Sequence, residues 1–189
     1  MPYISIDIET DGMAAGLHSM LSLGAAVVGC EGARTFYVEM RPLPDAQVHE
    51  PTVNWWRQTN LAEWQRLHEA TTLPWQAINA FADWVTSIEH TFDASAIACA
   101  WKPDFDMSFV RYYAMRFLGR QIFVPRGSGM DIKTVVAGAM RRDYGSFRLD
   151  DVPIEWFGPW RVTHNALDDA RAQARILQSA WSELALGVL

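Results

Sequence analysis

The chain opens on strict alternation. In Tyr3-Ile4-Ser5-Ile6-Asp7-Ile8-Glu9, the residues Ile4, Ile6 and Ile8 fall on one face and Tyr3, Ser5, Asp7 and Glu9 on the other. A period of two with β-branched residues predicts a strand, and Thr10-Asp11-Gly12 ends it. Ser19 to Cys30 reads as a second, apolar strand. Glu31-Gly32 is a hairpin-like turn into a third strand, Arg34 to Met40, and Pro42 and Pro44 close the block.

Helical periodicity follows. Pro51 suits the first turn of a helix carrying Trp55 and Trp56, and Leu61, Trp64 and Leu67 continue the spacing. Past Pro74, the residues Ile78, Phe81, Val85 and Ile88 form one apolar helical face. Ala94 to Trp101 is small and apolar throughout, which predicts a strand buried on both sides, and Pro103 breaks it. Asp106 to Phe117 reads as a helix. Asp131 suits the N-cap of another, Ile132 to Met140. Arg148 to Trp160 is irregular. The last helix starts near Ala166, with Leu167, Ala170, Ala174, Leu177, Trp181 and Leu184 as its core stripe. Three strands, helices, a central strand and more helices describe an α/β arrangement with a mixed sheet. With no repeat and no Gly/Ser linker, residues 1–189 read as a single domain.

Composition narrows the class. With 189 residues, 50% apolar and 20% charged, the chain is an ordinary globular domain and neither disordered nor collagen-like. It has 16 basic and 22 acidic residues, a net charge of −6. A broad basic surface for nucleic acid would show the opposite sign, so such a partner requires cations or a few placed residues. Cys30 and Cys99 lack a CxxC spacing and read as small core residues, compatible with a reducing cytosol and a cytoplasmic protein. The N-terminus lacks the basic region of a signal peptide. No apolar run reaches the ~18 residues of a membrane span, so no membrane partner is expected. Nine tryptophans exceed what packing alone usually recruits.

Candidate chemistry sits at the ends of the predicted elements. Asp7 and Glu9 end the first strand two residues apart and share a face. Open α/β sheets bind ligands at the carboxyl ends of their strands, and two like charges that close repel each other unless a cation separates them. A solvated strand face would present the same pair. Asp106 begins a helix, where it competes with Asp104 for the cap. Asp168 and Asp169 suit the positive end of the last helix dipole, and His164 precedes them in a loop. Each has a structural explanation by itself; Asp7, Glu9, Asp106, Asp169 and His164 together point to one site.

This set resembles the DEDDh-type 3′-to-5′ exonucleases of the ribonuclease H-like fold. The first motif matches in IDIETDG through Asp7 and Glu9, the second in FDMSFV through Asp106, and the third in HNALDDA through His164 and Asp169, with Asp168 as a neighbour only. The Trp-Trp helix at Trp55-Trp56-Arg57-Gln58 is similar to that of a bacterial and phage subgroup containing exoribonucleases and single-strand DNA exonucleases. One departure is Lys102, where many relatives carry Asn four residues before the second-motif acid. The resemblance implies a mixed five-stranded sheet flanked by helices. It implies hydrolysis of single-stranded RNA or DNA from a free 3′ end, releasing nucleoside 5′-monophosphates. A metal-dependent nucleotide phosphohydrolase and an inactive nuclease-fold binding module are the alternatives.

Four carboxylates supply hard oxygen ligands, which suit Mg²⁺ or Mn²⁺ and not zinc. Two ions ~3.5–4 Å apart would serve phosphodiester hydrolysis. His164, with an ordinary pKa of ~6.5, is the expected base toward the attacking water. Thr10, Trp55, Trp56 and Lys102 are the candidate substrate contacts, and Arg57, Arg148 and Arg161 further candidates for phosphate. Bases stack on aromatic faces at ~1–3 kcal/mol each. Adjacent helical residues point ~100° apart, so one tryptophan can reach substrate while the other packs. Both serve equally well in a core or in a homodimer contact.

Overall fold

The computed structural model describes residues 1–123 and 129–186. The chain order is β1 (Tyr3–Thr10), β2 (Met20–Val27), β3 (Thr35–Glu39), α1 (Glu50–Thr59), α2 (Leu61–His68), α3 (Pro74–Phe92), β4 (Ile97–Ala100), α4 (Pro103–Leu118), β5 (Met130–Asp131), α5 (Ile132–Ala139) and α6 (Ala166–Leu186). The sheet order is β3-β2-β1-β4-β5. β1 pairs antiparallel with β2 and parallel with β4; β2–β3 is antiparallel and β4–β5 parallel. This is the expected α/β class, a mixed five-stranded sheet flanked by helices.

The alternation in β1 decides what lies on each side. Ile4, Ile6 and Ile8 pack with Phe81 and Val85 of α3 and Phe109 of α4. On the other face Cys99 packs with Ile132 and Val136 of α5 and Ile176 and Leu177 of α6. Asp7 and Glu9 therefore face α6. Both cysteines are free and Cys99 is buried. Among the described residues, no helix is long and apolar enough to cross a membrane.

Several boundaries differ from the sequence expectation. The continuous helical block breaks at Asn60, whose φ of −153° lies outside the helical region; its side chain then caps α2 by accepting from the Glu63 N–H at 3.3 Å. The buried strand is shorter than Ala94–Trp101, because the Ala96 N–H turns to Glu89 at 2.9 Å and the Trp101 N–H to Gln173 at 3.0 Å. α4 starts at Pro103, so Lys102 and not an aspartate holds the cap position. Asp131 caps α5, accepting from the Thr134 N–H at 2.9 Å. The irregular stretch contains two short 3₁₀ turns, Leu149–Asp151 and Ile154–Phe157.

One glycine sets how closely α6 approaches the sheet. Gly24 stands opposite Asp7 in the β1–β2 ladder. A Cβ at Gly24 would lie 2.1 Å from the Ala166 carbonyl oxygen. Further along the same contact, Ala26 of β2 packs on Ala170 and Ala174 of α6. Small residues on both sides let the N-terminus of α6 rest on the strands, which brings Asp169 to β1.

Candidate active site

Three elements converge at the carboxyl end of β1. That strand supplies Asp7 and Glu9, the first turn of α4 supplies Asp106, and the first turn of α6 supplies Asp169. Glu9, Asp106 and Asp169 are buried, at 8%, 6% and 4% exposure. All four carboxylates nonetheless line one cleft of about 670 Å³. Each is fixed by a donor or by its neighbours. Gln173 donates its amide to Asp7 Oδ1 at 2.7 Å. Thr163 donates its N–H to Asp169 Oδ1 at 2.7 Å, and the His164 N–H points to the same carboxylate. The Ile8 N–H serves Asp106.

Packing four acids together is electrostatically unfavourable in the protein alone. Burial pushes the Asp106 carboxyl up to about 7, and Lys102 offsets part of that. Burial also raises Asp169 to about 6, with Asp168 and Glu63 adding repulsion. Asp7 is held well above the usual carboxylate range by burial and then by Asp106, Glu9 and Asp169; Glu9 is raised by burial, Asp169 and Glu63. Such a cluster calls for positive charge from outside the chain.

His164 stands on the turn that leads into α6. Its φ is +60°, a left-handed conformation that costs a non-glycine residue ~1–3 kcal/mol and persists only where its surroundings enforce it. Its ring reaches Glu9 and Asp169, the three groups' ligand atoms lying within 4.8 Å of one another. Trp55 meets the ring edge-on, with centroids 4.9 Å apart at 90°. Partial burial lowers the imidazole pKa. Asp168 does not line the cleft and lies 3.5 Å from Arg171.

The expected substrate contacts separate. Trp55 lines the cleft and is 39% exposed. Trp56 is 1% exposed, donates its indole N–H to the Thr10 carbonyl at 3.0 Å and packs on Leu21, Leu67 and Trp64. Trp56 also lines the cleft, but its burial puts most of the ring in the core, while Trp55 is the exposed member of the pair. Thr10 lines the cleft, but its hydroxyl donates to the Gly12 carbonyl at 2.8 Å. Lys102 stands exposed on the cleft wall near Asp106. Arg148 and Arg161 donate to nearby backbone carbonyls, and neither they nor Arg57 lines the cleft. Gln173 escaped sequence reasoning, although it lies one turn beyond Asp169 on the same helical face. Apolar walls from Met13, Phe105, Leu149 and Val162 also went unread.

This geometry has relatives. Residues 2–181 match the family described as the 3′-5′ exoribonuclease Rv2179c-like domain. The chain belongs to this family. It is a 3′-5′ exonuclease, as its motifs led us to expect. The chain is 28% identical over 180 residues to the 3′-5′ DNA exonuclease Cap18 of Escherichia coli, covering 93% of this chain and 89% of that protein. In fold it is similar to the nuclease domain of 3′hExo, a DEDDh family member bound to rAMP. The TM-score is 0.68 at 16% identity, covering 96% of this chain and 92% of that one. It is also similar to E. coli Exonuclease I in complex with a dA16 oligonucleotide, with a TM-score of 0.62 at 16% identity, covering 96% of this chain and 41% of the larger protein.

Proposed function

We propose that the protein hydrolyses single-stranded nucleic acid, RNA or DNA, one nucleotide at a time from a free 3′ end, releasing nucleoside 5′-monophosphates. The observation that carries this reading is the convergence of Asp7, Glu9, Asp106 and Asp169 with His164 in a single cleft beside the exposed ring of Trp55. Both polymers occur among the relatives, since the family is described by an exoribonuclease and the E. coli relative by a DNA exonuclease.

The residues fit two Mg²⁺ or Mn²⁺ ions. All four carboxylates are hard oxygen donors, and burial raises their pKa values, with neighbouring acids adding repulsion at Asp7, Glu9 and Asp169. Asp7, Glu9, Asp106 and Asp169 would hold them, and bound ions would neutralise the phosphate and polarise the attacking water. His164 is the base. Its lowered pKa keeps the ring unprotonated at neutral pH, ready to take a proton from the water as its oxygen bonds to phosphorus and the bond to the 3′ oxygen breaks. Trp55 offers its face to a base of the terminal nucleotides, which a single strand can splay and a duplex cannot. Lys102 and Thr10 complete the wall on the substrate side.

Degradation of matched RNA and DNA single strands, a blunt duplex and free mononucleotides, run side by side with Mg²⁺, tests the reading. Stepwise shortening of single strands with release of 5′-monophosphates is expected, with the duplex resistant. Internal cleavage, or hydrolysis of mononucleotides alone, would replace this function with another.

A further inference from the structure

The residues flanking His164 are both tied to one place outside the catalytic cluster, the N-terminal end of α2 with its cap Asn60. On one side, Asn60 donates its side-chain amide to the Thr163 carbonyl at 3.4 Å. On the other, Asn165 donates its side-chain amide to Glu63 Oε1 and to the Tyr37 hydroxyl, each at 3.3 Å. Asn165 also caps α6, its Oδ1 accepting from the N–H groups of Leu167 at 3.1 Å and Asp168 at 3.3 Å. The same side chain thus orients the start of α6 and anchors the turn to α2.

Glu63 is itself immobilised. Arg66 donates to both of its oxygens, through Nε at 3.0 Å and through Nη2. Arg66 also donates to the Tyr37 hydroxyl at 2.9 Å and pairs with Glu39, to which Tyr37 donates at 2.9 Å. Only 14% of the Glu63 side chain is exposed. The network joins α2, β3 and the α6 cap, yet neither Glu63 nor Asn165 lines the cleft. A carboxylate held in this way presents a fixed acceptor to Asn165. Together with the Asp169 carboxylate, which takes the Thr163 and His164 N–H groups, it brackets a His164 held left-handed at φ +60°.

We infer that Glu63 is a positioning residue that acts through Asn165 to hold the His164 turn at the cleft. The inference rests on the exonuclease reading with His164 as base. It predicts a specific energetic coupling: removing the Glu63 carboxylate should lower the rate only where there is a base to misplace.

A double-mutant cycle tests it, with single-strand degradation measured at saturating Mg²⁺ for the parent, Glu63→Ala, His164→Ala and the double variant. Glu63→Ala is expected to lower kcat roughly 10-fold or more with KM little changed. In the His164→Ala background the same change should cost nothing further. Glu63→Gln retains an acceptor oxygen for Asn165 and should restore most of the rate, which a purely electrostatic role for Glu63 would not permit. Equal loss in both backgrounds would overturn the positioning role while leaving His164 as base. A His164→Ala variant at the parent rate would instead overturn the base assignment, and the inference with it. Parent-like kcat in a folded Glu63→Ala enzyme overturns the positioning role alone.

Discussion

Gly24 and Ala166 are in contact through their backbones: the Ala166 carbonyl occupies the space where a side chain at Gly24 would begin. Because Gly24 pairs with Asp7 in the sheet, this contact sets the depth at which Asp169 meets Asp7 and Glu9. Gly24→Ala must push α6 away from β1. We expect a stability loss of ~1–3 kcal/mol from overpacking, read by urea unfolding, and a larger loss of activity than Ala26→Ser on the same strand. Unchanged activity in Gly24→Ala would show that the acids tolerate a shifted α6.

The two tryptophans should separate cleanly. Trp55→Ala is expected to weaken oligonucleotide binding in Ca²⁺ by ~1–3 kcal/mol with little change in Tm. Trp56→Ala removes a ring that is 1% exposed and should cost ~3–5 kcal/mol of stability. Titrations with a labelled single strand, alongside thermal melts, check both. The reverse pattern would exchange their roles.

His164→Ala should lower the rate by roughly 10²–10⁴ while Mg²⁺-dependent stabilisation persists, since four carboxylates remain. Burial lowers the His164 pKa, so the acid limb of the pH–rate profile should lie below ~6.5, the ordinary histidine value. An acid limb unchanged in the His164→Ala variant would assign that titration to another group.

How much of this was legible follows from the physics of each feature. β1 and its acids were readable because a two-residue period assigns each side chain to a face. The same period placed Ile4, Ile6 and Ile8 in the core and Asp7 and Glu9 toward α6. β5 was not, since Met130–Asp131 is too short to carry a pattern. The break at Asn60 was obscured because apolar spacing continues across it through Leu61, Trp64 and Leu67. Gly24 and the Glu63–Asn165 pair were invisible for a different reason. Their roles exist only in contacts between distant segments, 102 residues apart for Glu63 and Asn165. An Asn followed three residues later by Glu, as at Asn60 and Glu63, does mark a helix start; it gives no sign that both side chains also reach the His164 turn.

The pH dependence of metal-free stability is a separate expectation. Folded Asp106 and Asp169 titrate near about 7 and about 6, above the ordinary ~3.9 of an unfolded aspartate. The folded protein therefore binds protons more tightly than the unfolded chain. Stability is full below about pH 4 and falls as pH rises through 6 and 7. Melting in EDTA should show Tm decreasing over that window, Mg²⁺ should raise Tm more at pH 7.5 than at pH 5, and Asp7→Asn should stabilise the metal-free form. A Tm that rises with pH in EDTA would contradict the repulsive cluster.

The most direct test of the whole account is a time course on a single strand labelled at its 5′ end, with Mg²⁺ or with excess EDTA, for the parent and Asp7→Asn. The account predicts a ladder that shortens one nucleotide at a time from the 3′ end with Mg²⁺, and an intact strand both in EDTA and with Asp7→Asn. Undiminished shortening in EDTA, or by the folded Asp7→Asn protein, would contradict it.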